Sequence, residues 1–192
     1  LGFSERDQSS KETAVTTFLL LPGAGGRSSY WDRVTPRLTD AGHDTIAVDL
    51  PGPDPAAGRF EYAEIVAAAA FGHSDLVLVV QSLGGFTAAM TAGRIGAKEL
   101  VFVNAMIPEP GETPGQWWEA TGSVQAREIA AALGGYGPFE VETYFLHDVD
   151  VTGLADEQHF EADTVFQTPC DFSNWPDIPI LVLVGADDRF SG

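Results

Sequence analysis

The sequence predicts an α/β fold: a doubly wound, mainly parallel sheet with a helical cap inserted late in the chain. Three observations lead there. Short, continuous aliphatic runs of strand length recur at 15–21, 45–50, 76–81, 100–105 and 178–184, and unbroken apolar character marks strands covered on both faces. Segments of helical pattern separate the first four runs, so each connection has the length of a crossover. The alternation then stops, and an aromatic-rich stretch intervenes before the last run.

Each element has its own signal. The strand at 15–21 is broken at once by Pro22-Gly23-Ala24-Gly25-Gly26. Residues 30–39 carry Trp31, Val34 and Leu38 at helical spacing, and Gly42 supplies a stop before the strand at 45–50. The alanine-rich piece 61–71 reads as a helix, 76–81 as the next buried strand, 83–94 as the helix it feeds, and 100–105 as a fourth strand. Trp117, Trp118, Tyr136, Phe139, Tyr144, Phe145 and Trp175 fall in the intervening stretch, which reads as a cap.

With 192 residues and 44% hydrophobic content the chain supports one well-buried core, whereas two independent domains would each be small. The expected division is a flexible lead-in over 1–14, a core over 15–105, a cap insertion over 106–176 and a return to the core over 177–192. Ten basic against 28 acidic residues give a formal charge of −18, a field that repels nucleic acid and anionic membrane surfaces. The expected partner is a small molecule. One cysteine, Cys170, forms no intramolecular disulfide and reads as a buried structural thiol. No apolar run approaches a bilayer span and residues 1–7 lack the pattern of a signal peptide, so the expected location is cytoplasmic.

The chemistry concentrates at Val79-Val80-Gln81-Ser82-Leu83-Gly84-Gly85. A serine between a buried strand and a helix, with glycines behind it, matches the nucleophile elbow G-x-S-x-G, in which small residues let strand and helix backbones approach at a strained turn. Val80 stands where that pattern usually places a small residue. Serine at a helix start also serves as an N-cap, which is the plainer reading of Ser82. An elbow needs two amides to receive an oxyanion: Leu83 offers one and the loop after the first strand the other, through Ala24. The same loop resembles the opening of a dinucleotide fingerprint, with Gly23, Gly25 and a later Asp49, but Ser28 stands where the third glycine belongs.

After the last strand, Gly185-Ala186-Asp187-Asp188 places Asp188 at the spacing of a triad acid, with Asp187 its neighbour. An acidic pair there is otherwise a solvated loop. The order serine, acid, histidine then requires a base after Asp188, and none follows as far as Gly192. The base is therefore expected beyond Gly192, together with the fold's last strand and helix. His43 and His73 precede strands and should face the opposite edge, while His147 and His159 belong to the cap, from which either could reach the cleft, although packing within the cap or exposure is the plainer reading.

These residues, with Trp31, Gly42-His43, Val48-Asp49-Leu50 and Asn104-Ala105-Met106-Ile107-Pro108, resemble the small α/β-hydrolase-fold proteins, above all bacterial relatives of plant methyl esterases and hydroxynitrile lyases. The resemblance covers about 15–108 and 178–190. It implies a hydrolase core with a lid over the serine and neither metal nor organic cofactor. Pro22 and Gln81 stand where such proteins commonly carry histidine. Lyases of this kind use a lysine near the leaving cyanide, and the two lysines here, Lys11 and Lys98, lie in the lead-in and after a helix. The expectation is a serine hydrolase cleaving a small apolar carboxylic ester through Ser82, with Asp188 as acid and the cap residues Trp117 and Trp118 lining the substrate pocket. The alternative is a protein of this fold that binds without catalysing.

Overall fold

A computed structural model describes residues 15–148 and 160–190; the expected lead-in and His159 lie outside the described residues. Five strands form one parallel sheet: β1 (Thr17–Leu21), β2 (Asp44–Ala47), β3 (Leu76–Gln81), β4 (Glu99–Val103) and β5 (Ile180–Leu183), in the order β2-β1-β3-β4-β5. Seven helices accompany them among the described residues: α1 (Thr35–Asp40), α2 (Arg59–Ala70), α3 (Gly84–Thr91), α4 (Pro114–Thr121), α5 (Ser123–Gly134), α6 (Val141–Phe145) and α7 (Asp163–Gln167).

Successive strand residues point to opposite faces, and the core divides accordingly. Leu19, Leu21, Leu76, Leu78, Val80, Leu100 and Phe102 pack on the face covered by α2 and α3. Leu20, Val77, Val79 and Val101 pack on the other face, under Trp31 and Leu38. This is the doubly wound arrangement, and it explains why the strands read as unbroken apolar runs rather than alternating ones.

The local differences from the sequence reading have local causes. The helix expected over 30–39 is a 3-10 turn, Ser28–Trp31, followed by α1. Pro36 has no amide to donate, so it is compatible with the first turn of a helix but not its interior. β2 is shorter than expected because the chain turns away after Val48, whose amide donates to Leu20 O, and Leu50 then binds the loop after β1. β5 is the outermost of the described strands, and Ile180, Leu181, Val182 and Leu183 are half exposed there.

The chain runs outward from β1 to β2 and then crosses back to β3, so the carboxyl ends of β1 and β3 flank the point where strand order reverses. Loops leaving a parallel sheet diverge at such a point and open a crevice. The loop after β1 and Ser82 both lie there. No helix among the described residues is long and apolar enough to cross a membrane.

Cys170 closes the core beside α3: it is fully buried, its thiol approaches Phe86 O at 3.3 Å, and desolvation pushes its pKa up to about 11. Such a thiol is inert in the folded protein. A disulfide reagent at neutral pH is therefore expected to leave Cys170 unmodified until denaturant unfolds the chain, and the onset of reaction should coincide with loss of near-UV circular dichroism.

Candidate functional site

β3 delivers Gln81 in register with Val103, and the chain then reverses into α3 within two residues. Ser82 takes φ +48°, the left-handed region, where a residue with a side chain costs about 1–2 kcal/mol. Three backbone hydrogen bonds hold it there. Its amide donates to Val103 O at 3.4 Å, and its carbonyl accepts from Gly85 N at 3.1 Å and Met106 N at 3.0 Å.

The glycines around Ser82 are where backbones touch. A Cβ on Gly85 would sit 1.8 Å from Met106 O, one on Gly84 2.7 Å from Pro22 O, and one on Gly23 2.9 Å from the Cβ of Ser82. Val80 is fully buried in the core, and the turn forms with it in place. The close approach is supplied by Gly23, Gly84 and Gly85 instead.

The loop after β1 is pinned at several points. Gly26 N donates to Gly23 O at 3.2 Å, Leu50 N donates to Gly26 O at 2.7 Å, and Ser28 N donates to Asp49 Oδ1 at 2.8 Å. Asp49, the acid a dinucleotide fingerprint would require, thus serves the loop's own backbone. Gly25, at φ +89°, donates its amide to Glu161 Oε2 at 2.7 Å. Among the described residues the amides of Ala24 and Leu83 donate to no protein acceptor, and Ala24 is exposed.

Across from Ser82 the loop after β5 turns back on itself, with Asp188 N donating to Gly185 O at 3.1 Å and Asp188 Oδ1 accepting from Phe190 N at 2.7 Å. Asn104 ties this loop to β4: at φ +43° it donates its amide to Leu183 O and accepts from Gly185 N through Oδ1, each at 2.8 Å. Tyr30 faces the same acid, and desolvation followed by the Asp188 charge raises its hydroxyl's pKa.

Ser82, Asp188, Asp187, Asn104 and Tyr30 line one cleft of about 410 Å³. Tyr144, Phe145 and Phe190 form its apolar wall, and the rings of Phe145 and Phe190 lie 4.7 Å apart. His147 and Asp148 close it from the cap side, and the buried Nδ1 of His147 has no partner among the described residues. His43 accepts from Thr16 N and packs edge-on against Phe18, while His73 sits in the turn after α2; both are at the amino ends of strands.

The structure therefore brings Ser82 and Asp188 to one cleft, with Ala24 and Leu83 on the two loops beside Ser82. Trp117 and Trp118 are elsewhere: both pack against the core, Trp117 donating from Nε1 to Ile107 O at 3.1 Å and Trp118 stacking on Phe166. Tyr30, Asn104 and the wall of Tyr144, Phe145 and Phe190 are not singled out by the sequence as site residues, whereas His147 is one of the two cap histidines that it allows to reach the cleft. Asn104 alone carried a usable signal, since asparagine at a strand end tolerates positive φ and binds neighbouring backbone.

The sequence matches the alpha/beta hydrolase family over residues 18–192. The chain belongs to that family. No curated protein matches it. Among solved structures, it is similar to an extracellular alpha/beta-hydrolase from a Paenibacillus species, with 18% identity, 88% of this chain and 77% of that one covered, and a TM-score of 0.69. A methylesterase from Arabidopsis gives 16% identity, coverage of 93% and 81%, and a TM-score of 0.69. A pyrethroid hydrolase from Sphingobium faniae gives 19% identity, 92% of each chain and a TM-score of 0.65. At these identities the likeness is one of fold.

The left-handed Ser82 makes the turn's strain measurable. Ser82→Ala and Ser82→Gly both lack the hydroxyl, but only glycine relieves a positive φ. After allowing for glycine's larger unfolded-state entropy, Ser82→Gly is expected to be roughly 0.5–1 kcal/mol more stable than Ser82→Ala in urea unfolding.

Proposed function

We propose that this alpha/beta hydrolase family member is a serine hydrolase that cleaves small, largely apolar carboxylic esters through an acyl-enzyme on Ser82. The observation that carries the reading is the Ser82 turn itself. A strained serine opens on a cleft shared with Asp188, and amides that have no acceptor among the described residues stand on both neighbouring loops.

In this reading the Ser82 hydroxyl attacks the ester carbonyl while a histidine takes its proton. The negative charge on the former carbonyl oxygen is received by the amides of Leu83 and Ala24. These donors carry no net charge, so they favour the oxyanion over the neutral ester. The histidine returns the proton to the leaving alcohol, and the same steps with water release the acid. Asp188 orients the base, which the chain order of this fold assigns to a position after the acid.

The substrate class follows from the walls of the cleft. Tyr144, Phe145 and Phe190 favour an apolar group, and Asp148, Asp187 and Asp188 disfavour an anionic one. The names of the methylesterase and the pyrethroid hydrolase among similar structures agree with hydrolase chemistry on this fold.

A fluorophosphonate probe is expected to label Ser82 in the full-length protein and to leave Ser82→Ala unlabelled, as read by mass spectrometry. The rate should rise with pH through about 6.5, because only a neutral histidine accepts the serine proton. A folded full-length protein that remains unlabelled would overturn the hydrolase reading in favour of a non-catalytic binding protein.

His147 supports a second assignment of the base, since it lines the cleft with an Nδ1 that has no partner among the described residues. His147→Ala separates the two. Labelling within about threefold of wild type keeps the base after Asp188, whereas a loss of about 10²-fold or more transfers the role to His147.

A further inference from the structure

We propose that Glu161 is a positioning residue for the oxyanion loop: its carboxylate, carried by the segment before α7, clamps the Gly25 amide and thereby fixes the peptide that presents Ala24. The inference rests on the serine-hydrolase reading of the Ser82 cleft.

Both oxygens of Glu161 are engaged, by different elements. Oε2 accepts from Gly25 N at 2.7 Å, and Oε1 accepts from the Tyr62 hydroxyl on α2 at 2.5 Å. The adjacent Ala162 amide donates to Gly52 O at 2.8 Å, and a Cβ on Gly52 would lie 2.7 Å from the carbonyl of Gly25. The Glu161 segment thus grips the loop directly and through the neighbouring glycine. Gly25 is 136 residues away in sequence, so this is a tertiary contact between the core and the segment before α7.

A buried cation acts on the carboxylate through its charge. Arg59 is 2% exposed, donates from Nε to Thr168 O at 3.0 Å and from a second nitrogen to Val165 O at 2.5 Å, and lies over the Phe86 ring. Desolvation lowers its pKa to about 10, so it stays charged at neutral pH, and its charge favours ionised Glu161. Burial raises the Glu161 pKa, and the Tyr62 bond, the Gly25 bond and Arg59 oppose that rise in turn. An ionised carboxylate only accepts, which suits the two donors that meet it.

A loop of glycines has a wide choice of backbone conformations, and one of them must be selected before the reaction for its amide to act as a preorganised donor. Gly26 and Ser28 are fixed from the β2 side by Leu50 and Asp49. Gly25 is fixed by Glu161, and Ala24 lies between that clamp and Gly23, which is pressed against Ser82. Removing the carboxylate frees the Ala24 peptide while leaving the Ser82 turn intact.

The test is hydrogen exchange and fluorophosphonate labelling on the full-length protein and its Glu161→Ala, Glu161→Gln and Tyr62→Phe variants. In Glu161→Ala, amides of residues 23–26 are expected to exchange at least about tenfold faster while β3 is unchanged, and Ser82 labelling should slow about 10- to 100-fold. With p-nitrophenyl acetate the loss should fall on kcat rather than KM. Glu161→Gln, which keeps an acceptor for Gly25, should recover most of both losses, and Tyr62→Phe should lie between it and wild type. Unchanged exchange at 23–26, or wild-type labelling despite faster exchange, overturns the proposal. Should Glu161→Ala fail to fold, Glu161→Leu, which keeps the side chain's bulk without an acceptor for Gly25, takes its place, and unchanged exchange at 23–26 in that variant overturns the proposal equally. A wild-type protein that does not label defeats the hydrolase reading instead, and the exchange comparison then decides the clamp by itself.

Discussion

The constraint on which this structure turns is the carbonyl of Ser82. It accepts from Gly85 N inside the helix that follows and from Met106 N at the end of the next strand. A carbonyl that serves both neighbours is fixed in direction, and Ser82 is held at φ +48° between the strand and the helix that it joins. The side chain is thereby thrown outward over the carboxyl edge. The strain and the exposure of the hydroxyl are consequences of one hydrogen-bonding arrangement, and the deep apolar strand behind it supplies the packing that holds it.

The same constraint orders the glycines. Once the Ser82 carbonyl is engaged by Met106 N, the Met106 carbonyl presses on Gly85, and Pro22 O presses on Gly84. The loop after β1 is thus drawn against the start of α3, and Gly23 has to pass over Gln81 and Ser82. Two amide-bearing loops converge on the serine because the backbone there is packed too tightly for side chains. Val80 escapes this requirement: its side chain points down into the core, between Leu21 and Phe102 in the sheet register.

The fold was legible wherever its cause is local. Unbroken apolar runs announced five parallel strands, and Ser82-Leu83-Gly84-Gly85 announced a turn into a helix. What was not legible depends on contacts between distant segments. Strand order is one such property: β3 lies between β1 and β4 although β2 precedes it in the chain, and periodicity does not encode which runs become neighbours. The aromatic residues posed a similar problem. Trp117 and Trp118 were natural choices for a pocket lining, but stacking on Phe166 and a bond to Ile107 O hold them against the core, while Tyr144, Phe145 and Phe190 form the wall beside Ser82. Nothing in the spacing of aromatic residues distinguishes the two sets.

Charge placement joins the cleft to the body of the protein. Asp148, Asp187 and Asp188 border the cleft, in a chain whose formal charge is −18, and Glu161 stands behind the glycine loop. An anion forming at Ser82 would meet an unfavourable field from all of them. Two features offset it. In the proposed reaction the donors are the amides of Ala24 and Leu83, whose dipoles act at short range where the more distant carboxylates are weakened by separation and solvent. Arg59, a buried cation, directs its hydrogen bonds at α7 and the residue that follows it and does not line the cleft, so its charge favours the ionised clamp without binding an anionic ground state there. A cation in the cleft itself would hold carboxylate product as firmly as it held an oxyanion, and turnover would then be limited by release.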